Sequence, residues 1–247
     1  MNIVLPTEKI KPVSTSPANL IIFGKPKIGK TTLFAGLDNA LILDLEKGAN
    51  YVEALKISVD TVEDIKAVGK LIKEANHPYK YVVVDTITAL EEMCIPLAEK
   101  LYSQSPMGKN WYTDGKTKYG SILNMPNGSG YPWLREGFMM IIQYIKQWAP
   151  RIILSGHVKD VLLEKNGSEF TGMDLNLTGK LKSIMTSQSD AIGYLYRKGN
   201  TNILSFKTKD DVSCGARPEH LRNREFEIST IDENGKVTID WSQIFID

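Results

Sequence analysis

The chain has 247 residues, enough for one α/β domain with a sizeable core. Its 42% apolar and 24% charged residues are ordinary for a globular protein. With 30 basic against 29 acidic side chains, bulk charge excludes a globally basic nucleic-acid binder, so any such site must be a local patch.

The chain opens with residues 1–18, where Pro6, Pro12 and Pro17 interrupt any helix; they read as an arm or flexible leader, and self-assembly would give an arm a neighbouring subunit to dock on. Residues 19–247 then read as one core that includes C-terminal hairpins from about residue 207. Residues 20–23 are a short buried strand, a glycine loop follows, and a helix is expected over residues 31–37. Residues 40–44 have strand length. Val62, Ile65, Val68 and Ile72 fall at helical spacing, and Tyr81 to Asp85 is a continuous β-branched run of the kind covered on both faces of a parallel sheet. One helix is expected from about residue 89 to residue 101. Residues 104–132 carry Gly, Pro, Asn and Ser without a period, long for a loop and therefore functional or mobile. Leu134, Phe138, Ile141, Ile145 and Trp148 form another helical stripe, and residues 151–157 another buried strand. Hairpins are then expected at Asn166-Gly167, at Lys198-Gly199-Asn200 and at Glu233-Asn234-Gly235. The fold class is thus α/β, with a mainly parallel sheet flanked by helices and extended at its C-terminal edge by antiparallel hairpins.

Cys94 and Cys214 have no Cys or His partners at metal-ligand spacing and read as idle thiols of a reducing compartment. No run of about 18 apolar residues occurs, and residues 1–12 lack the apolar core of a signal peptide. The expectation is a cytoplasmic protein with no membrane partner.

Gly24, Lys25, Pro26, Lys27, Ile28, Gly29, Lys30 and Thr31 fit the pattern G-x-x-x-x-G-K-[ST], with Thr32 next in the helix. Two glycines let the backbone wrap close enough for successive N–H groups to face phosphate oxygens, and the following helix adds its positive end. Lys30 is expected to reach the β- and γ-phosphates of ATP, and the Thr31 hydroxyl to take a magnesium position. Asp85, delivered to the strand end beside this loop, is the natural second metal-holding group, against the plainer reading of a helix cap. Asp44 and Glu46 both stand where a carboxylate can orient or deprotonate the attacking water, or simply face solvent. His157 ends its strand where it can sense a γ-phosphate, or merely hydrogen-bond locally.

Phosphate loop, strand-end Glu46, strand-end Asp85 and strand-end His157 occur in an order that resembles the RecA-like P-loop ATPases, in particular the compact phage proteins of single-strand annealing and recombination. The resemblance spans about residues 19–210. It implies that Glu46 is the water-activating base and that His157 senses the γ-phosphate. It also implies that Lys207 and Lys209, in Phe206-Lys-Thr-Lys209, reach a neighbouring subunit's nucleotide. The large C-terminal domain of RecA has no counterpart.

The same resemblance implies single-stranded DNA as partner, assembly into a homo-oligomeric ring or filament, a single-strand-binding protein as a further partner, and the bacterial host cytoplasm as location if phage-encoded. Two loops should then face DNA. In 104–132, Lys109, Lys116 and Lys118 alternate with Trp111, Tyr112 and Tyr119, cations for phosphates and rings for bases, unless the rings pack back on the domain. Residues 158–179 are offset by acids, although Lys180 and Lys182 beyond them can contact phosphate. Arg217, Arg222 and Arg224 form a third basic cluster. The alternative functions are a helicase loader or helicase-like motor, a P-loop kinase, and a GTPase suggested by Thr208-Lys-Asp-Asp211.

Overall fold

The computed structural model describes residues 5, 7–12, 14–113, 115–165, 168–208 and 212–246. Its centre is a parallel sheet built from the apolar runs: β1 (Asn19–Gly24), β2 (Ala40–Asp44), β3 (Leu55–Ser58), β4 (Tyr81–Asp85), β7 (Arg151–Lys165) and β9 (Ala191–Lys198). These lie in the order β3-β2-β4-β7-β1-β9, so β7 separates the strand of the glycine loop from the strand of Asp85. Beyond β9 the sheet continues antiparallel through β10 (Thr201–Ser205), β12 (Glu225–Ile231) and β13 (Val237–Ile239), while the two-residue β11 (Gly215–Ala216) also pairs with β9. This is the arrangement expected, parallel in its centre with antiparallel hairpins at one edge.

The strand pleat divides the core. Ile21, Phe23, Leu41, Leu43, Val82 and Val84 point to one face. Leu20, Ile22, Ile42 and Val83 point to the other. Period-two alternation of wholly apolar strands buries both faces, and each such side chain is worth ~1.5–3 kcal/mol. The first face is covered by α2 (Val62–Glu74), α3 (Ile87–Met93), α5 (Tyr131–Ile145) and α6 (Lys180–Gln188), with α4 (Ile95–Gln104) contributing Ala98. The second is covered by α1 (Lys30–Ala35) and by Trp241, Ile244 and Phe245 of the C-terminal turns. No helix among the described residues is long and apolar enough to cross a membrane.

Three local expectations change. The helix after the glycine loop ends at Ala35 rather than residue 37, because Gly36 closes it where a Cβ would stand 2.7 Å from Ile239. The helix expected over 89–101 is two, parted at Cys94, since Pro96 in the first turn of α4 has no N–H for the preceding turn. Residues 104–132 are not one open loop. They hold short 3₁₀ turns and a two-strand ribbon, β5 (Tyr112–Thr113) with β6 (Lys116–Thr117), seated on the domain by Trp111.

One strand exceeds expectation. β7 leaves the sheet after His157, which pairs with Gly24, and from Val158 pairs instead with β8 (Ser168–Leu175) in a long antiparallel hairpin. The expected turn at Asn166-Gly167 lies outside the described residues. The β9–β10 connection is as expected, with Gly199 at φ +59° between paired Lys198 and Thr201.

Candidate active site

The glycine loop joins β1 to α1 at the C-terminal edge of the parallel strands. Gly24 is required by close approach, for a Cβ there would lie 2.6 Å from the Leu195 carbonyl oxygen. Gly29 takes φ +98°, a left-handed backbone that favours glycine. Lys25, Pro26 and Lys27 are exposed along the loop, whereas Ile28, Thr31 and Thr32 are half-buried. The Ile28 carbonyl accepts from Arg197 Nη2 at 3.0 Å and Asn202 Nδ2 at 3.3 Å, and Arg197 Nε donates to Asn202 Oδ1 at 2.9 Å. This clamp from β9 and β10 fixes the loop's shape, and no feature of the sequence announced it.

Lys30 is buried, and its ammonium donates to the Gly24 and Lys25 carbonyls at 3.2 and 3.1 Å. Burial holds its pKa below the usual lysine value even though Asp85 and Glu46 pull the other way. Asp85, only 5% exposed, accepts from the Thr31 hydroxyl at 2.6 Å. Burial raises its pKa, and the Thr31 bond and the Lys30 charge offset this only in part. A hydroxyl and a carboxylate thus converge on one point beside a buried ammonium that is held by carbonyls alone. That donor set suits a hard, oxygen-ligated cation such as magnesium together with a polyphosphate.

The two strand-end acids of β2 separate cleanly. Asp44 accepts from the Gly48 and Ala49 amides, both at 3.0 Å, and so caps the turn Gly48–Tyr51. Glu46 turns toward the loop instead. Its carboxylate accepts from Thr86 Oγ1 at 2.6 Å and from His157 Nε2 at 2.9 and 3.1 Å. A carboxylate only accepts, so Nε2 carries the proton, and the buried Nδ1 has no protein partner among the described residues. Thr86 also caps α3 by accepting from the Ala89 amide at 3.2 Å. Four groups therefore meet in one place: Lys30, the Thr31–Asp85 pair, Glu46 and His157.

Lys207 lies elsewhere. Gly24 pairs with Leu195, and Leu195 with Leu204, but the antiparallel β10 then carries residue 207 away from the loop edge. Its ammonium donates to Glu225 Oε2 at 2.8 Å, and Glu225 Oε1 accepts from Ser205 Oγ at 2.9 Å. This bond to Glu225 raises the Lys207 pKa. Lys209 lies outside the described residues.

The residues expected to face DNA divide. Lys109, Tyr112, Lys116, Lys118, Tyr119 and Lys180 are exposed, and Lys118 lies over the Tyr119 ring at 5.5 Å. Trp111 is 1% exposed, with Tyr102 edge-on at 5.2 Å and Tyr119 at 6.1 Å, so its ring anchors the segment and offers no face to a base. The stacking expectation is corrected at that residue. Lys182 is paired with Asp174 of β8, which leaves less of its charge for a phosphate.

Fold and site together define a P-loop ATPase. A family model described as AAA domain matches residues 16–217, and the chain belongs to that family. Among solved structures, the crystal structure of the RadB recombinase is similar at 14% identity, covering 91% of each chain with a TM-score of 0.46. No curated protein matches the chain.

Proposed function

We propose that this ATPase hydrolyses ATP as a recombination protein of the phage type, binding single-stranded DNA and promoting annealing or strand pairing. The observation that carries the reading is the Glu46–His157 contact, because His157 is the last β7 residue in the central sheet before the β7–β8 hairpin departs. Lys30 would bind the β- and γ-phosphates, and Thr31 and Asp85 would hold magnesium, whose charge screens the phosphates during attack. Glu46 would take the proton of the attacking water, exchanging its bonds to Thr86 and His157 for that water. His157 would then report the γ-phosphate to the hairpin.

The hairpin's root is braced to α3, which supports such coupling. The His157 amide donates to Thr88 Oγ1 at 3.4 Å, Thr88 Oγ1 donates to the Asn176 carbonyl at 3.1 Å, and the Asn176 amide returns to the His157 carbonyl at 2.9 Å. Lys207 faces away from its own loop, so a catalytic role for it and for Lys209 would be exerted on the nucleotide of a neighbouring copy in a ring or filament. Residues 1–18 would serve that assembly as a contact arm, with a single-strand-binding protein as a further partner in the bacterial host cytoplasm. Phosphate release measured with and without single-stranded DNA, beside annealing of complementary strands, tests the reading. Stimulation with annealing supports it, stimulation without annealing favours a helicase loader or motor, and DNA-independent turnover contradicts it.

A further inference from the structure

The opposite edge of the sheet carries a second cleft, at the start of β1 and β9. The six-residue β1 separates this edge from the glycine loop by about 16–20 Å at ~3.3 Å per residue. Asp190 forms its floor, accepting from the Ala18 and Asn19 amides at 3.0 and 2.9 Å. One wall is the segment leading into β1, where Ser16 Oγ accepts from the Ile246 amide at 2.9 Å. The other is the turn 217–224, anchored by fully buried Leu221 and by the His220 ring against the Ile244 carbonyl at 3.1 Å. The cavity between them is about 670 Å³, within the ~300–1,000 Å³ typical of ligand pockets.

Its lining combines three guanidiniums with apolar and hydroxyl side chains and the acids Asp190 and Glu219. Arg217, Arg222 and Arg224 stand among Pro12, Ala18, Pro218 and Ile246. Arg217 pairs with Asp190 at 3.6 Å, and Arg222 Nη2 donates to the Arg217 carbonyl at 2.9 Å, a bond that leaves its charge uncompensated. Among the described residues neither Arg222 nor Arg224 has a carboxylate within ion-pair distance, although Glu219 also lines the cleft. Guanidinium forks match carboxylates and phosphates alike. The remaining lining decides between them. No Phe, Tyr or Trp lines the cleft to stack a base, and the apolar side chains of Pro218 and Ile246 find no counterpart on a phosphate backbone. Short apolar patches beside two guanidiniums with no carboxylate partner among the described residues suit instead a peptide that alternates carboxylates with aliphatic residues.

We infer that this cleft is a docking site for a short acidic, partly aliphatic peptide segment of a partner protein, separate from the nucleotide site and independent of the DNA reading. The test is fluorescence anisotropy of a labelled octapeptide of alternating Glu and Leu, titrated with the full chain, with an alternating Lys-Leu octapeptide and a short oligothymidylate as competitors. Saturable binding that ATP does not change, and that Arg222→Ser/Arg224→Ser weakens about tenfold, is the expected result, the scale of two lost solvent-exposed ion pairs. Arg224→Ser alone removes a side chain with no hydrogen bond among the described residues, so it gives a folded variant whose binding must weaken in the same direction. Absence of saturable binding, equal affinity of the variants, or displacement by oligothymidylate would overturn the inference, the last by making the cleft a nucleic-acid surface.

Discussion

At the scale of single residues, the site sets charged groups against their surroundings. Lys30 is held below its ordinary pKa and Asp85 above it, both chiefly by burial, a pattern that concentrates at functional sites. Glu46 is held by Thr86 and His157, and Glu46→Gln keeps its shape while removing the base. We expect turnover to fall by about 10²–10⁴-fold with nucleotide affinity nearly unchanged, read by phosphate release beside equilibrium binding of a fluorescent ATP analogue. Equal losses in both would place Glu46 in binding rather than catalysis. Cys94 supplies a second check, away from the site. Burial pushes its thiol from 9.0 up to about 12. The folded state therefore keeps a proton that the unfolded chain releases, so this contribution to stability is complete below pH 9 and is lost between pH 9 and about 12. Urea midpoints measured from pH 8 to 10 should fall more steeply in the native chain than in Cys94→Ala, and iodoacetamide at pH 8 should leave Cys94 unmodified until the chain unfolds.

Elements place these residues, and two of them behave differently from their sequence pattern. The apolar stripe around residues 89–101 continues across Cys94, yet Pro96 divides it, so α3 is free to act as a short strut between Glu46 and the hairpin. Its N-cap Thr86 touches Glu46, and Glu91 near its other end accepts from the Thr178 amide at 3.2 and 3.1 Å. The segment 104–132 has the composition of a loop, but its tertiary seat was invisible to any local period. Gly130 shows how tight that seat is, since a Cβ would stand 1.8 Å from the Ile122 carbonyl oxygen. Gly130→Ala must displace backbone rather than a flexible side chain. A loss of about 1–3 kcal/mol in urea denaturation, with faster proteolysis within 104–130, is expected. An unchanged midpoint and cleavage pattern would show that the segment is not packed this way.

At the scale of the molecule, the legible part was the part with short-range rules. The glycine loop announces its phosphate chemistry by spacing, the wholly apolar strands announce a sheet buried on both faces, and the sharp strand ends deliver Glu46, Asp85 and His157 to one edge. Contacts between groups distant in sequence were not legible: the Arg197–Asn202 clamp on Ile28, the Lys207–Glu225 pair and the burial of Trp111 each depend on register and packing. The same applies to His157, whose meaning rests on its meeting Glu46 across 111 positions at the root of a hairpin. Nucleotide chemistry at the sheet edge coupled through His157 to the β7–β8 hairpin is the central claim. Phosphate release by the native chain and by His157→Ala, each with and without single-stranded DNA, tests it most directly. DNA should stimulate the native chain and leave the variant, which still binds nucleotide, at its basal rate; equal stimulation of both, or of neither, would contradict the account.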